Sequence, residues 1–405
     1  MMLLDVAAKA VYTLPPDKLE EAIHLYHVRT LAHFGDTAWM ILALWLLVRW
    51  GFGSKVKRWA EKWSGRAWVQ GFLVAPAWLL ILSLLGLPVS LMMHRVYLRY
   101  GISVESWGIW LGDYAKSTAL TLVFGTLTLA VLYALMRHSQ RWWLWFWLLA
   151  LPVEVAAVYA VPVFIDPLFN HFSPLVQADP GLVPQLERVA QRGGLSIPPS
   201  RMFVMDASQR FTAPNAYVTG FGASKRIVVW DTTIEHLPQD EILAVYGHEQ
   251  GHYVLEHIQK GIEFSAALML AGFWLAYRAM RWLVRRYGPA WQIRAVEDWA
   301  SLGLLLLLMT VLSFLAEPVG NGFSRWEEHA ADVYGQEVIH GLVPDAQAAT
   351  VRSFQRLGEM WLDVPDPNPF VVFWTYSHPT TAQRVEFAAE YDPWRAGESP
   401  KYLPK

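Results

Sequence analysis

The chain has 405 residues, enough by length for two or three domains, but 54% of them are apolar, only 17% are charged and 22 are tryptophan. Soluble domains carry about a quarter charged residues, so this composition, with its positive mean hydropathy, describes a membrane protein with a modest water-exposed part. The net charge of −2 gives no footing for nucleic acid, and the absence of cysteine excludes disulfides, thiolate nucleophiles and cysteine-based metal sites.

The N-terminal stretch MMLLDVAAKAVYTLPPDK has no basic region ahead of its apolar residues and does not read as a signal peptide. Residues 16–35 form an amphipathic helical pattern, on which His24, His27 and His33 are expected at the membrane interface. A first apolar span at 37–52 leads into a basic loop with Lys55, Lys57, Arg58, Lys62 and Arg66. Further spans are expected at 68–93, 117–136 and 142–165. The last opens on WWLWFW, an aromatic belt, and holds Glu154 at a depth where a carboxyl group must face protein or water. Residues 1–165 therefore make a membrane region with four spans.

Polar residues and proline return from 166 to 260. Strand-like runs occur at 201–208, 215–222 and 225–233, the last two placed as a hairpin. LPQDEILAV then opens a helix with Asp240 and Glu241 in its first turn, where the dipole favours acids. Two more spans, at 262–283 and 297–316, flank a basic loop with Arg285, Arg286 and Arg294. They fill the segment 261–318, and residues 319–405 read as a mostly helical soluble part with a proline-rich loop, VPDPNP. Six spans bring the Lys/Arg-rich loops 53–67, 137–141 and 284–296 to one face, which the positive-inside rule makes cytoplasmic. The segments 94–116 and 166–260 and the C-terminal part then lie on the other, extracytoplasmic side.

The chemistry is concentrated at HEQGH, 248–252. Residues four apart share a helix face, so His248 and His252 can bind one Zn²⁺, and Glu249 between them can act as general base on a water at the metal. A five-residue match also arises by chance on a polar helix. A zinc hydrolase needs a third protein ligand and an open position. After the sixth span, SRWEEHAAD supplies Glu328 and, one turn on, Asp332. Glu328 serves as the ligand, and Asp332 can accept the free N–H of a ligating histidine. Glu327 is the competing ligand, but its neighbour four residues on is Ala331. His257 lies nine residues after His248 with no helix-ending glycine between. On a continuing helix that places it half a rotation away, and it reads as structural.

GHEQGH (247–252), SRWEEHAAD (324–332), NAYVTGFG (215–222), RIVVWDTT (226–233) and SHPTTAQR (377–384) occur in an order that resembles the integral-membrane zinc metallopeptidases. That family comprises the type I CAAX prenyl endopeptidases and the HtpX-type proteases, and NAY with SHP brings the chain closer to the CAAX branch. The resemblance is strong from about 200 to 385 and loose through the N-terminal spans. It departs in span number: eukaryotic members have seven, against six counted here.

The resemblance implies that His248, His252 and Glu328 bind one zinc ion, that Glu249 is the base, and that Asn215 and His378 line the cleft. His378 would donate to an oxyanion, and Asn215 would hold the substrate backbone or the leaving amine. By residue type alone Asn215 is equally a strand-start turn residue and His378 a helix-cap neighbour. Arg325 and Arg384 are expected as carboxylate partners locking the cleft, or as surface residues.

The expected fold is mainly α: a polytopic helical membrane protein of about six spans with a small zincin-like α+β catalytic unit. The expected function is a zinc metalloendopeptidase acting on membrane-associated or lipid-anchored peptides in the bilayer, with CAAX-prenylated peptides among the candidate substrates. A broad-specificity quality-control protease and a non-catalytic, zinc-stabilised scaffold are the alternatives; a closed four-ligand site would favour the scaffold.

Overall fold

The computed structural model describes residues 11–220 and 225–403. The first ten residues of the N-terminal stretch, and the tip of the expected hairpin at 221–224, lie outside the described residues.

The apolar stretches become long helices. α1 (Pro16–Arg49) joins the expected amphipathic helix and the first span in one rod, since the single Gly35 between them is too weak a breaker to part them. α2 (Phe52–Glu61) is a short amphipathic helix in the basic segment, entered through Gly51 at φ 63°. α3 (Ala67–Arg99) stays helical through Pro76 and Pro88, as spans do when neighbouring helices satisfy the freed backbone. α4 (Trp107–His138) is capped by Ser106, and α5 (Trp142–Ala160) runs on through one π-helical turn at Val161–Ile165.

The polar segment folds as β1 (Phe172–Pro174), α6 (Leu175–Ala178), α7 (Leu182–Arg192), β2 (Met202–Met205), β3 (Ala216–Thr219), β4 (Arg226–Trp230), α8 (Asp231–His236) and α9 (Gln239–Val254). The sheet order is β1-β2-β4-β3, with β2 and β4 parallel. β3 and β4 form the expected antiparallel pair, from Ala216 opposite Val229 to Thr219 opposite Arg226. Alternation along β4 sends Ile227 and Val229 into one core with Leu243 of α9 and Leu186 of α7, and Val228 to the other face with Met205. β1 was not expected; three residues ending in proline leave no alternation to read.

α10 (His257–Trp291) and α11 (Leu302–Ile339) follow, then α12 (Ala346–Trp361), α13 (Pro369–Thr375) and α14 (Thr381–Glu390). Among the described residues, five helical stretches are long and apolar enough to cross a bilayer: 16–49, 67–99, 107–138, 142–168 and 299–339. This corrects the count of six. The span expected at 262–283 lies in α10, where Glu263, Arg278 and Arg281 dilute the apolar stretch. α10 nevertheless joins the same two ends of the bundle as its neighbours. It begins beside the HEQGH helix and ends where Gln292 O accepts a bond from Ser54 of α2.

The three basic loops meet at that second end. Lys57 pairs with Asp298 at 2.9 Å, Trp299 Nε1 donates to Ala67 O at 2.7 Å, and the Arg137 guanidinium lies 5.1 Å over the Trp299 ring. At the opposite end the first turns of α1 pack on the C-terminal helices: Ala22 and Leu25 share a core with Phe354, Val385 and Ala388, and Lys18 pairs with Glu359 at 2.7 Å. The first half of α1 is thus a wall of the soluble part. His33 faces inward and pairs with Glu317 at 3.2 Å, and His24 Nδ1 meets the Tyr100 hydroxyl at 2.5 Å. His27 stays exposed. Glu154 accepts a bond from Ser265 of α10, so it faces protein, as its depth requires.

Candidate active site

α9 and α11 cross with their backbones nearly touching, and small residues make this possible. A Cβ at Gly247 would sit 2.8 Å from Val338 Cγ1 and 2.9 Å from Gly335 O; one at Gly335 would sit 2.8 Å from His248 N. Gly251 faces Ala331 in the same way, at 3.1 Å. Gly251, which weakens a helix read alone, is therefore part of the crossing surface. The crossing brings His248, His252 and Glu328 together, although the last is 76 residues from the nearer histidine in sequence.

Their ligand atoms lie within 4.8 Å of one another. His248 Nε2 is 3.1 Å from His252 Nε2 and 3.2 Å from Glu328 Oε2, and His252 Nε2 is 3.5 Å from Glu328 Oε1. Tetrahedral zinc with ligands at about 2.0–2.1 Å needs donor atoms roughly 3.3 Å apart. Glu328 Oε2 is buried without a hydrogen-bond partner, as an oxygen waiting for a cation would be. Two imidazoles and one carboxylate are a zinc donor set, so the residues fit the ion. Burial opposes charge on His248, but its hydrogen bond to Asp332 and the neighbouring Glu328 carboxylate outweigh it and raise its pKa to about 10.

The shell behind the cluster is ordered. His248 Nδ1 donates to Asp332 Oδ1 at 2.8 Å, and Asp332 is 2% exposed. Arg384, expected to pair with a carboxylate, grips Asp332 with two bonds, at 2.6 and 3.0 Å, and stacks 4.1 Å over Phe354. Arg325 does not pair with a carboxylate among the described residues. It donates to the carbonyls of Val372 (3.2 Å) and Tyr376 (2.5 Å), and so holds the chain that leads into Ser377 and His378. Glu327, the competing ligand, lies outside the cluster. Asp240 and Glu241 do more than complement a dipole: Arg352 and Arg356 of α12 bind them, Glu241 being fully buried.

A cavity of about 700 Å³ opens over the cluster, lined by Asn215, His248, Glu249 and His378 and by Arg29 and His33 of α1. His378 Nε2 stands 3.2 Å from Glu328 Oε2. The Asn215 side-chain oxygen accepts from Ala216 N at 2.8 Å, which leaves its amide N–H groups for the cavity. Burial pushes the Glu249 carboxyl above its ordinary range, against the pull of His248 and His252. The α1 wall escaped sequence reading because nothing local in α1 points to a partner more than 300 residues away. His257 escaped it for another reason. The helix does not continue: Glu256, at φ 60°, separates α9 from α10 and returns His257 to the cluster.

Two histidines one turn apart, a glutamate from a crossing helix and a free carboxyl beside them, under membrane helices, define a metallopeptidase of the membrane. The model of peptidase family M48 matches residues 177–392, and the model described as "CAAX prenyl protease N-terminal, five membrane helices" matches residues 14–171. The chain belongs to peptidase family M48.

Among curated proteins it is 34% identical to the uncharacterized metalloprotease YhfN of Bacillus subtilis, over 92% of this chain and 86% of that one. It is 30% identical to the CAAX prenyl protease 1 homolog of Arabidopsis thaliana (71% of this chain, 65% of that one). It is also 30% identical to CAAX prenyl protease 1 of Saccharomyces cerevisiae (75% and 68%). The crystal structure of S. mikatae Ste24p shares the fold, with a TM-score of 0.78 at 24% identity over 94% of this chain and 92% of that one. The protein is a multi-pass membrane zinc endopeptidase that acts on membrane-associated peptide or protein substrates. The scaffold alternative falls with this assignment: among the described residues the cluster offers three ligands, leaving a position open.

Proposed function

We propose that His248, His252 and Glu328 hold the zinc, that Glu249 is the general base, and that His378 and Asn215 handle the substrate. The observation that carries this reading is that all six line or adjoin one cavity, which Glu249 and His378 both line. When bound, zinc supplies a Lewis acid for the peptide carbonyl and acidifies a water molecule. Glu249 takes the proton of the attacking water, its raised proton affinity suiting it to pass that proton to the leaving amine. His378 donates its Nε2–H to the developing oxyanion, a contribution of about 10²–10³ in rate for donors of this kind. Asn215 sits at the start of β3, an edge strand among the described residues, where an extended peptide can add to the sheet and accept the Asn215 amide. Asp332 and Arg384 keep His248 in the tautomer that presents Nε2, and Arg325 keeps the His378 segment against α11.

The catalytic unit in this reading is built from 166–260 and 319–405, on a membrane region of 1–165 and 261–318. The substrate is lipid-anchored. Met93, Tyr97 and Phe354 give the cavity an apolar wall, and the Arabidopsis and yeast relatives carry the name of prenyl proteases. The catalytic end lies opposite the basic end, and so faces away from the cytoplasm.

The test is a comparison of wild type with Glu249→Gln in detergent, reading zinc content and cleavage of a prenylated peptide beside its unmodified twin. The variant is expected to keep one zinc per chain and to lose cleavage by about 10²–10⁴-fold, with the prenylated peptide preferred by wild type. Full activity in the variant would refute the role of Glu249. Equal cleavage of both peptides would refute the lipid preference and favour a broad-specificity protease.

A further inference from the structure

The two histidines of the cluster are backed differently. His248 gives its Nδ1–H to Asp332, a buried carboxylate already gripped by Arg384. His252 turns its Nδ1 toward His257 Nδ1, 3.0 Å away, with the rings edge to face at 5.0 Å between centroids. This contact exists because the helix breaks. On an unbroken helix, five residues would carry His257 about 140° around the axis from His252. Glu256 at φ 60° ends α9 and starts α10, so that the side chain comes back and is buried, 5% exposed. Among the described residues, His252 Nδ1 has no other hydrogen-bond partner.

Two imidazole nitrogens can share only one proton, so one donates and the other accepts. We infer that His257 is a positioning residue of the zinc site: its Nδ1 accepts the Nδ1–H of His252, which fixes the tautomer and the ring orientation that present Nε2 to the metal. The proton of His257 then sits on its own Nε2. The acceptor is neutral, in contrast to Asp332. It orients a ligand without adding another anion to a site that already holds Glu249, Glu328 and Asp332.

The inference rests on the assignment of His252 as a ligand, and a pair of variants separates the two. His257→Phe keeps a ring and removes the acceptor. His257→Asn loses the bulk and keeps an acceptor oxygen at the δ position. Zinc affinity is read by competition with a chelator on the full chain in detergent, beside the melting temperature of the metal-free protein and the zinc content of His252→Ala. We expect His257→Phe to bind zinc about 10–100-fold more weakly, His257→Asn to recover most of that loss, and His252→Ala to lose stoichiometric zinc. Affinity lost more in Asn than in Phe, in step with the metal-free melting temperature, would make His257 a packing residue and overturn the proposal. So would unchanged affinity in both, with His252→Ala still losing zinc. If His252→Ala kept its zinc, the ligand assignment itself would fall, and the proposal with it.

Discussion

Single residues at this site act through partners the linear chain does not advertise. Asp363 illustrates it: the carboxylate lines the cavity, accepts a bond from Thr381 Oγ1 at 2.8 Å and is pushed above its ordinary range by burial, against that bond and the pull of Arg29 and Arg384. Its folded pKa exceeds its unfolded one, so the folded chain holds the proton to higher pH. The stability tied to that proton is intact below about pH 3.9 and declines as pH rises toward the raised folded value. Asp363→Asn keeps an acceptor for Thr381 and has nothing to ionise. Its melting temperature relative to wild type is expected to rise by roughly 2 °C between pH 4 and pH 8. An offset that does not change with pH would refute the sign. The same scale shows what spacing can and cannot reveal. The four-residue intervals His248–His252 and Glu328–Asp332 were legible because helix geometry is periodic. His257 was not, because the break at Glu256 uses a residue type that carries no turn signal. Arg325 was legible as a tether but not in its target, since a guanidinium satisfies carbonyls as readily as carboxylates.

The crossing of α9 and α11 governs the site at the level of elements. Their contact is lined by Gly247, Gly251, Ala331 and Gly335, and an added Cβ at Gly335 meets the His248 backbone rather than a side chain that can turn away. Gly335→Ala must therefore push the helices apart by some tenths of an ångström. Overpacking of this kind costs about 1–3 kcal/mol, and metal sites tolerate displacements of only ~0.5 Å. The variant is expected to melt earlier and to bind zinc at least about tenfold more weakly, measured by thermal unfolding and chelator competition. A variant with wild-type zinc affinity would show that the crossing has slack. The hairpin of β3 and β4 was legible from the Gly-rich end and short separation of its two strand-like runs, and its pairing matches that reading. β1 and the packing of α1 on α12 and α14 were not, because both depend on contacts made far along the chain.

Charge and hydropathy organise the whole molecule. The basic segments converge at one end, through Lys57–Asp298 and Arg137–Trp299, and the metal cluster lies at the other. An impermeant amine reagent applied to intact cells should therefore fail to modify Lys55 and Lys62 and modify them once the membrane is opened; labelling from outside would reverse the proposed orientation. The span count was legible to within one helix. α10 is the exception because its polar residues, among them Ser265 against Glu154 and Arg281 against Tyr277, are satisfied inside the protein and lower its hydropathy without shortening it.

α11 is one helix from Leu302 to Ile339, so a stretch that crosses the bilayer and the mount of Glu328 are the same rod. Pro318 lies ten residues before Glu328, roughly 15 Å along the axis, and withholds one N–H from the ladder, which makes it the natural pivot. A bend of about 4° there would swing Glu328 by ~1 Å, more than a metal site tolerates. Asn321 bonded to Trp374 O, and Arg325 bonded to Val372 and Tyr376, act as guy-lines between pivot and ligand. The stretch that crosses the bilayer and the mount of Glu328 therefore move as one body, and the Asn321 and Arg325 bonds brace that body against tilt.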